Sequence, residues 1–138
     1  MPSGWFELQI DDQGSWADYW DEWNNRITEE GTYDLRFNAS QLEEGESYEI
    51  HWDVSVYGHE IESHNYAFNG TSENWTNIDF SLEIPHWYCD IEISATMLFD
   101  YEGNMVELLS RDFFEEGPCQ NDLGGDFSEV TEIELELE

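Results

Sequence analysis

Lysine is absent from this 138-residue chain, and its only strong cations are Arg26, Arg36 and Arg111. Against them stand 34 Asp and Glu residues, a formal net charge of −31. Without a basic patch the chain has no footprint for DNA or RNA, and phosphate would be repelled. Contact with anionic lipid is disfavoured for the same reason. Long apolar runs are missing too, so no transmembrane helix is encoded and no direct membrane insertion is expected. The start, Met1 to Trp5, has neither a basic n-region nor an apolar h-region, so no signal peptide is read there. If the protein is extracellular, this sequence is expected to be a mature fragment or a domain of a longer one.

What is present points to a folded protein. Aromatic residues make up 16% of the chain. A disordered acidic tail would lack them. The length suits one domain with a real core. Self-repulsion on this scale then has to be met by concentrated salt, bound cations or a partner that favours a negative surface.

Alternation of apolar and polar residues dominates. From Ser47 to Tyr57, the residues Tyr48, Ile50, Trp52, Val54 and Val56 share one face, while Glu49, His51, Asp53 and Ser55 take the other. Similar runs place Tyr33, Leu35 and Phe37 together, then Ile78 to Ile84, then Cys89 to Phe99. Weaker runs are Phe6/Leu8/Ile10, Tyr66/Phe68 and Met105 to Phe114, where the Leu108-Leu109 doublet suggests a bulge. Ile133, Leu135 and Leu137 alternate with glutamates at the end. About seven or eight short strands predict an all-β, Ig-like antiparallel β-sandwich. One segment reads differently: Trp16, Tyr19, Trp20, Trp23 and Ile27 recur at helical spacing, which predicts a short helix over 16–27. Residues 1–119 are read as the sandwich. Residues 120–138 form a Gly-rich hinge and a C-terminal strand, part of the same domain or exchanged with a neighbour.

Cys89 and Cys119 lie almost symmetrically about the turn signal Glu102-Gly103-Asn104, so a hairpin centred there sets them nearly opposite, within disulfide reach. Such a bridge implies an oxidising compartment; the alternative is two free thiols. Three sequons occur, at Asn38, Asn69 and Asn74, a modest excess over chance.

Metal signals are plentiful and unspecific. Asp100, Glu102 and Asn104 look like the start of a calcium loop, but the glycine comes two residues early and Arg111 holds the twelfth position. Asp122 and Asp126 form a further oxygen-rich stretch. Calcium is therefore the one cofactor considered. His59-Glu60 with His64 has the wrong spacing for a zinc helix and lies in strand-like sequence. No Gly-x-Ser-x-Gly elbow, P-loop or dinucleotide fingerprint is present, so no enzyme is expected. The helical stripe of aromatics reads as core, whereas Trp75 and Trp87, near strand ends, are the expected exposed rings for ligand stacking.

The segment Leu42-Glu-Glu-Gly45-Glu-Ser-Tyr48-Glu-Ile50-His-Trp52 resembles the Leu-x-x-Gly-x-x-Tyr turn and strand start of fibronectin type III and related Ig-like domains. There the tyrosine forms a corner, its hydroxyl bonding back to the preceding turn, and the resemblance gives Tyr48 that role. With Tyr33-x-Leu-x-Phe-Asn before it and Trp-Tyr-Cys89 and a second cysteine after it, the arrangement over residues 32 to 119 resembles Ig-like modules of large secreted proteins from marine archaea. That implies an acidic, salt-adapted, sequon-bearing module with a structural or adhesive role. The absence of lysine excludes the Lys–Asn isopeptide bonds of some surface domains.

These features together predict a non-enzymatic extracellular module of a cell surface, stalk or filament. Its partners would be other surface domains or copies of itself, by strand pairing, or glycans. A carbohydrate-binding module using exposed tryptophans is the alternative, and it requires two or three coplanar exposed aromatics on one face or at one loop end. An acidic decoy mimicking nucleic acid is the third reading.

Overall fold

The computed structural model describes residues 3–18, 27 and 29–115. Eight antiparallel strands form two four-stranded sheets: β1 (Trp5–Asp12), β2 (Ser15–Asp18), β3 (Gly31–Ser40), β4 (Ser47–Val56), β5 (His59–Asn69), β6 (Trp75–Ile84), β7 (Ile91–Tyr101) and β8 (Asn104–Glu115). The first sheet has the order β2-β1-β3-β6 and the second β5-β4-β7-β8. The two apolar faces meet as a sandwich.

Period-two alternation fixes which face each strand buries. Phe6, Leu8 and Ile10 on β1 and Leu35, Phe37 and Ala39 on β3 point inward against Ile50, Trp52 and Val54 on β4 and Ile91, Ile93 and Met97 on β7. Phe37, Trp52 and Phe80 bridge the sheets, with ring centroids 5.0–5.4 Å apart. Such aromatic pairs add about 1 kcal/mol each beyond their burial.

Three hairpins turn on two residues, Gln13-Gly14, Tyr57-Gly58 and Glu102-Gly103, each with both φ values positive. That is the type I′ geometry whose twist matches the flanking strands. In two of them an aspartate three residues before the glycine accepts its N–H: Asp11 Oδ1 from Gly14 at 2.9 Å and Asp100 Oδ1 from Gly103 at 3.0 Å. The expected bulge is present, since Met97 faces Leu109 while Leu98 faces Glu107, leaving Leu108 as the extra residue.

The helix expected over 16–27 is not seen. Ser15–Asp18 is strand β2, hydrogen-bonded to Gln9–Asp12, and there is no helix among the described residues. Trp16 lies over the guanidinium of Arg36, 3.9 Å from its ring centroid. An outward position thus gains it a cation–π contact. Tyr19, Trp20 and Trp23 lie outside the described residues, as do Cys119, Asp122, Asp126 and the expected strand over 133–137.

Candidate functional site: the outer face of the first sheet

The outward side chains of β3 and β6 form a ladder of directly opposed polar pairs. The register sets Asp34 against Ser81, Arg36 against Asp79, Asn38 against Asn77 and Ser40 against Trp75. Each of the first three pairs is hydrogen-bonded. Ser81 Oγ donates to Asp34 at 2.9 Å, Arg36 grips Asp79 through Nε at 2.7 Å and Nη2 at 3.1 Å, and Asn38 Nδ2 donates to Asn77 Oδ1 at 2.7 Å. The hydrogen bond to Asp79 holds the Arg36 pKa above its ordinary value; partial burial opposes this, and the charges of Asp79 and Asp11 add to it. A bidentate ion pair of this kind fixes both partners in place.

Two tryptophans close the ends of this ladder. Trp16 stacks on Arg36, and Trp75 is 46% exposed beside Ser40. Between them lies a shallow groove of about 470 Å³, lined by Gln9, Trp16, Arg36, Asn38, Ser40, Trp75 and Asn77. The levels of Arg36 and Ser40 are four residues apart on β3, roughly 14 Å of strand. Trp5 is the partner of Ser40 on the other side, 39% exposed, with Arg111 over its ring at 4.4 Å. The groove thus sets Trp16 and Trp75 about a floor of amides, a hydroxyl and the paired Arg36, while beside it Glu7, the cross-strand partner of Asn38, accepts the Trp5 indole N–H at 2.6 Å. Among the described residues, the groove lining holds no carboxylate and no histidine.

The structure separates the two tryptophans singled out by sequence. Trp75 begins β6, whereas Trp87 follows its far end. Ten residues of strand put roughly 30 Å between the two levels. Trp87 lies edge-on to His59, with ring centroids 6.1 Å apart. Trp16 as a groove residue, and Trp5 as a neighbour of the groove, escape a sequence reading. Alternation around Phe6 and Leu8 already aims Trp5 outward, but only the register shows that Trp5 and Trp75 flank the same serine.

Tyr48 is buried between Phe68 and Phe99, and its hydroxyl accepts the Glu43 N–H at 2.8 Å. Burial pushes its pKa above the ordinary phenolic value; the bond from Glu43 works against this, and the nearby charges of Glu43 and Glu46 add to it. This corner sits where β3 crosses to β4. The loop after β6 contains another buried tyrosine, Tyr88. Cys89 is buried and disulfide-bonded.

Asn69 and Asn74 are exposed in or beside the β5–β6 loop, and Asn38 is half-buried in mid-strand. Asp100, Glu102 and Asn104 lie at the β7–β8 turn, where Asp100 is engaged with the Gly103 N–H. No group of three or more His, Cys, Asp or Glu among the described residues is placed to hold a metal ion. His64 is held by Glu62 at 2.8 Å, and its ring lies tilted against Trp52 with centroids 5.3 Å apart. No helix among the described residues is long and apolar enough to cross a membrane.

The chain matches no protein-family model and no curated protein. Its fold is similar to a crystal structure of a protein from Archaeoglobus fulgidus, with 8% identity, 80% of this chain and 94% of that one covered, and a TM-score of 0.44. It is also similar to the solution structure of an Arabidopsis thaliana protein, at 11% identity, 83% and 81% coverage and a TM-score of 0.42.

Proposed function

We propose that this chain is a non-enzymatic extracellular adhesive module of Ig-like type, whose ligand is a neutral carbohydrate held in the Trp16–Trp75 groove. The observation that carries the reading is the pairing of two tryptophans with an amide floor on one sheet face. Flat aromatic rings bind the apolar faces of sugars, and convergent amides satisfy their hydroxyls. Neutrality follows from charge. Arg36 is already paired with Asp79, and Arg111 is paired with Glu7 at 3.0 Å. A chain of net −31 repels anionic sugars.

Support for the Ig-like arrangement comes from the strand order, with β4 and β7 central in one sheet and β3 in the other, and three crossovers between sheets. Support for an oxidising compartment comes from the disulfide at Cys89, whose partner we assign to Cys119. The test is a panel of neutral and uronic or sulfated oligosaccharides titrated against the protein in concentrated salt. Binding of a neutral member, weakened tenfold or more by Trp75→Ala, is expected. Binding confined to the anionic members would sink the proposal.

A further inference from the structure

We infer that Asn38 is the control point of the groove, because N-glycosylation there puts a sugar where the ligand would lie. This rests on the carbohydrate reading above. Asn38-Ala39-Ser40 is an acceptor sequon, and Ala39 is fully buried, so Asn38 and Ser40 share the outward face. Asn38 is the midpoint of the groove floor, two residues from Arg36 under Trp16 and two from Ser40 beside Trp75. Asn77 Oδ1 engages its Nδ2 at 2.7 Å. That amide nitrogen carries two hydrogens. One satisfies the bond to Asn77 while the other is replaced by sugar, so modification and the sheet are compatible.

The transfer takes its sugar from a lipid-linked phosphate-activated donor. The C1–O bond to phosphate breaks, the Nδ2–C1 bond forms, and the amide proton leaves with a base. The first sugar then projects from the centre of the face, within reach of the flanking tryptophans. The other two sequon asparagines lack this consequence, since neither lines the groove and Asn69 instead meets Ser47 of the second sheet.

The unmodified chain is therefore open to carbohydrate, and the chain modified at Asn38 is closed by its own glycan. Regulation of this kind needs no conformational change.

The experiment compares the same full chain made in a host with N-glycosylation and in a bacterial cytoplasm without it. Peptide mass mapping reads occupancy at Asn38, thermal melts check that both forms fold, and cellohexaose, chitohexaose and mannohexaose are the probes. Expected are occupancy at Asn38 and at least tenfold weaker binding by the occupied form. Modification confined to Asn69 and Asn74, or equal binding by both forms, overturns the inference alone. Failure of the unmodified chain to bind any probe overturns the carbohydrate reading, and this inference with it.

Discussion

Replacing Gly70 by alanine tests how the β3–β4 and β5–β6 loops lock around Tyr48. A Cβ built on Gly70 would lie 2.0 Å from the Glu43 carbonyl oxygen, 2.8 Å from its carbon and 3.3 Å from Tyr48 Cε2. The first two are backbone atoms, so relief requires the loops to part. They are joined by Gly45 N–H to Gly70 O at 3.0 Å and Gly70 N–H to Glu46 O at 2.8 Å, and the Tyr48–Glu43 bond sits beside them. Losing these three bonds costs about 1 kcal/mol each. Gly70 does not have a positive φ. The reduced freedom of an unfolded alanine therefore returns roughly 0.4–1 kcal/mol. The net loss is about 2–3 kcal/mol, a fall of roughly 10 °C in Tm for a domain of this size. Denaturant titration at unchanged m-value reads it. A loss under about 0.5 kcal/mol, the scale of an ordinary surface change, would refute the locked corner. The substitution leaves the Asn69-x-Thr71 sequon intact.

Three further outcomes are expected. Tyr48→Phe strands the Glu43 N–H. Its cost in a denaturant titration is about 1–2 kcal/mol. Because the folded pKa of Tyr48 is raised, the native state holds its proton longer than the unfolded state. Stability is then full below the unfolded phenolic pKa and falls as pH rises through the folded one, and the variant should lose that part of the alkaline decline. At Glu102 the φ is 53°, a value that asparagine tolerates better. Since Asn-Gly also suits a type I′ turn, Glu102→Asn should stabilise by roughly 0.5–1 kcal/mol in a thermal melt. Added sodium chloride should raise Tm steadily by screening the net charge of −31, and a flat response would contradict the role given to that charge.

Much of the sandwich is legible in the sequence because strand alternation is a local signal. Tyr48 to Val56, the Leu108 bulge and the Glu102-Gly103 turn can each be read from a few neighbouring residues. The helical reading fails at Trp16, where a local pattern meets a tertiary contact. Trp16 fits a 3.6 period, yet its ring is satisfied by Arg36, two strands across the sheet. The groove is half legible. Trp75 can be picked out as exposed, but Gln9, Trp16, Asn38 and Asn77 meet only through the β1–β3–β6 register, which no sequence window contains. The carboxylates mislead in a different way, since Asp100 resembles a calcium ligand in sequence and instead anchors a glycine N–H in a turn.

One titration tests the carbohydrate groove most directly. Unglycosylated protein in concentrated salt is titrated with neutral hexasaccharides and followed by intrinsic fluorescence and calorimetry, beside Trp75→Ala with an unchanged melt. Saturable binding by the native chain is expected, perturbing tryptophan emission and weakening tenfold or more, about 1.4 kcal/mol, in the variant. No binding by the native chain, or equal binding by the folded variant, would contradict it.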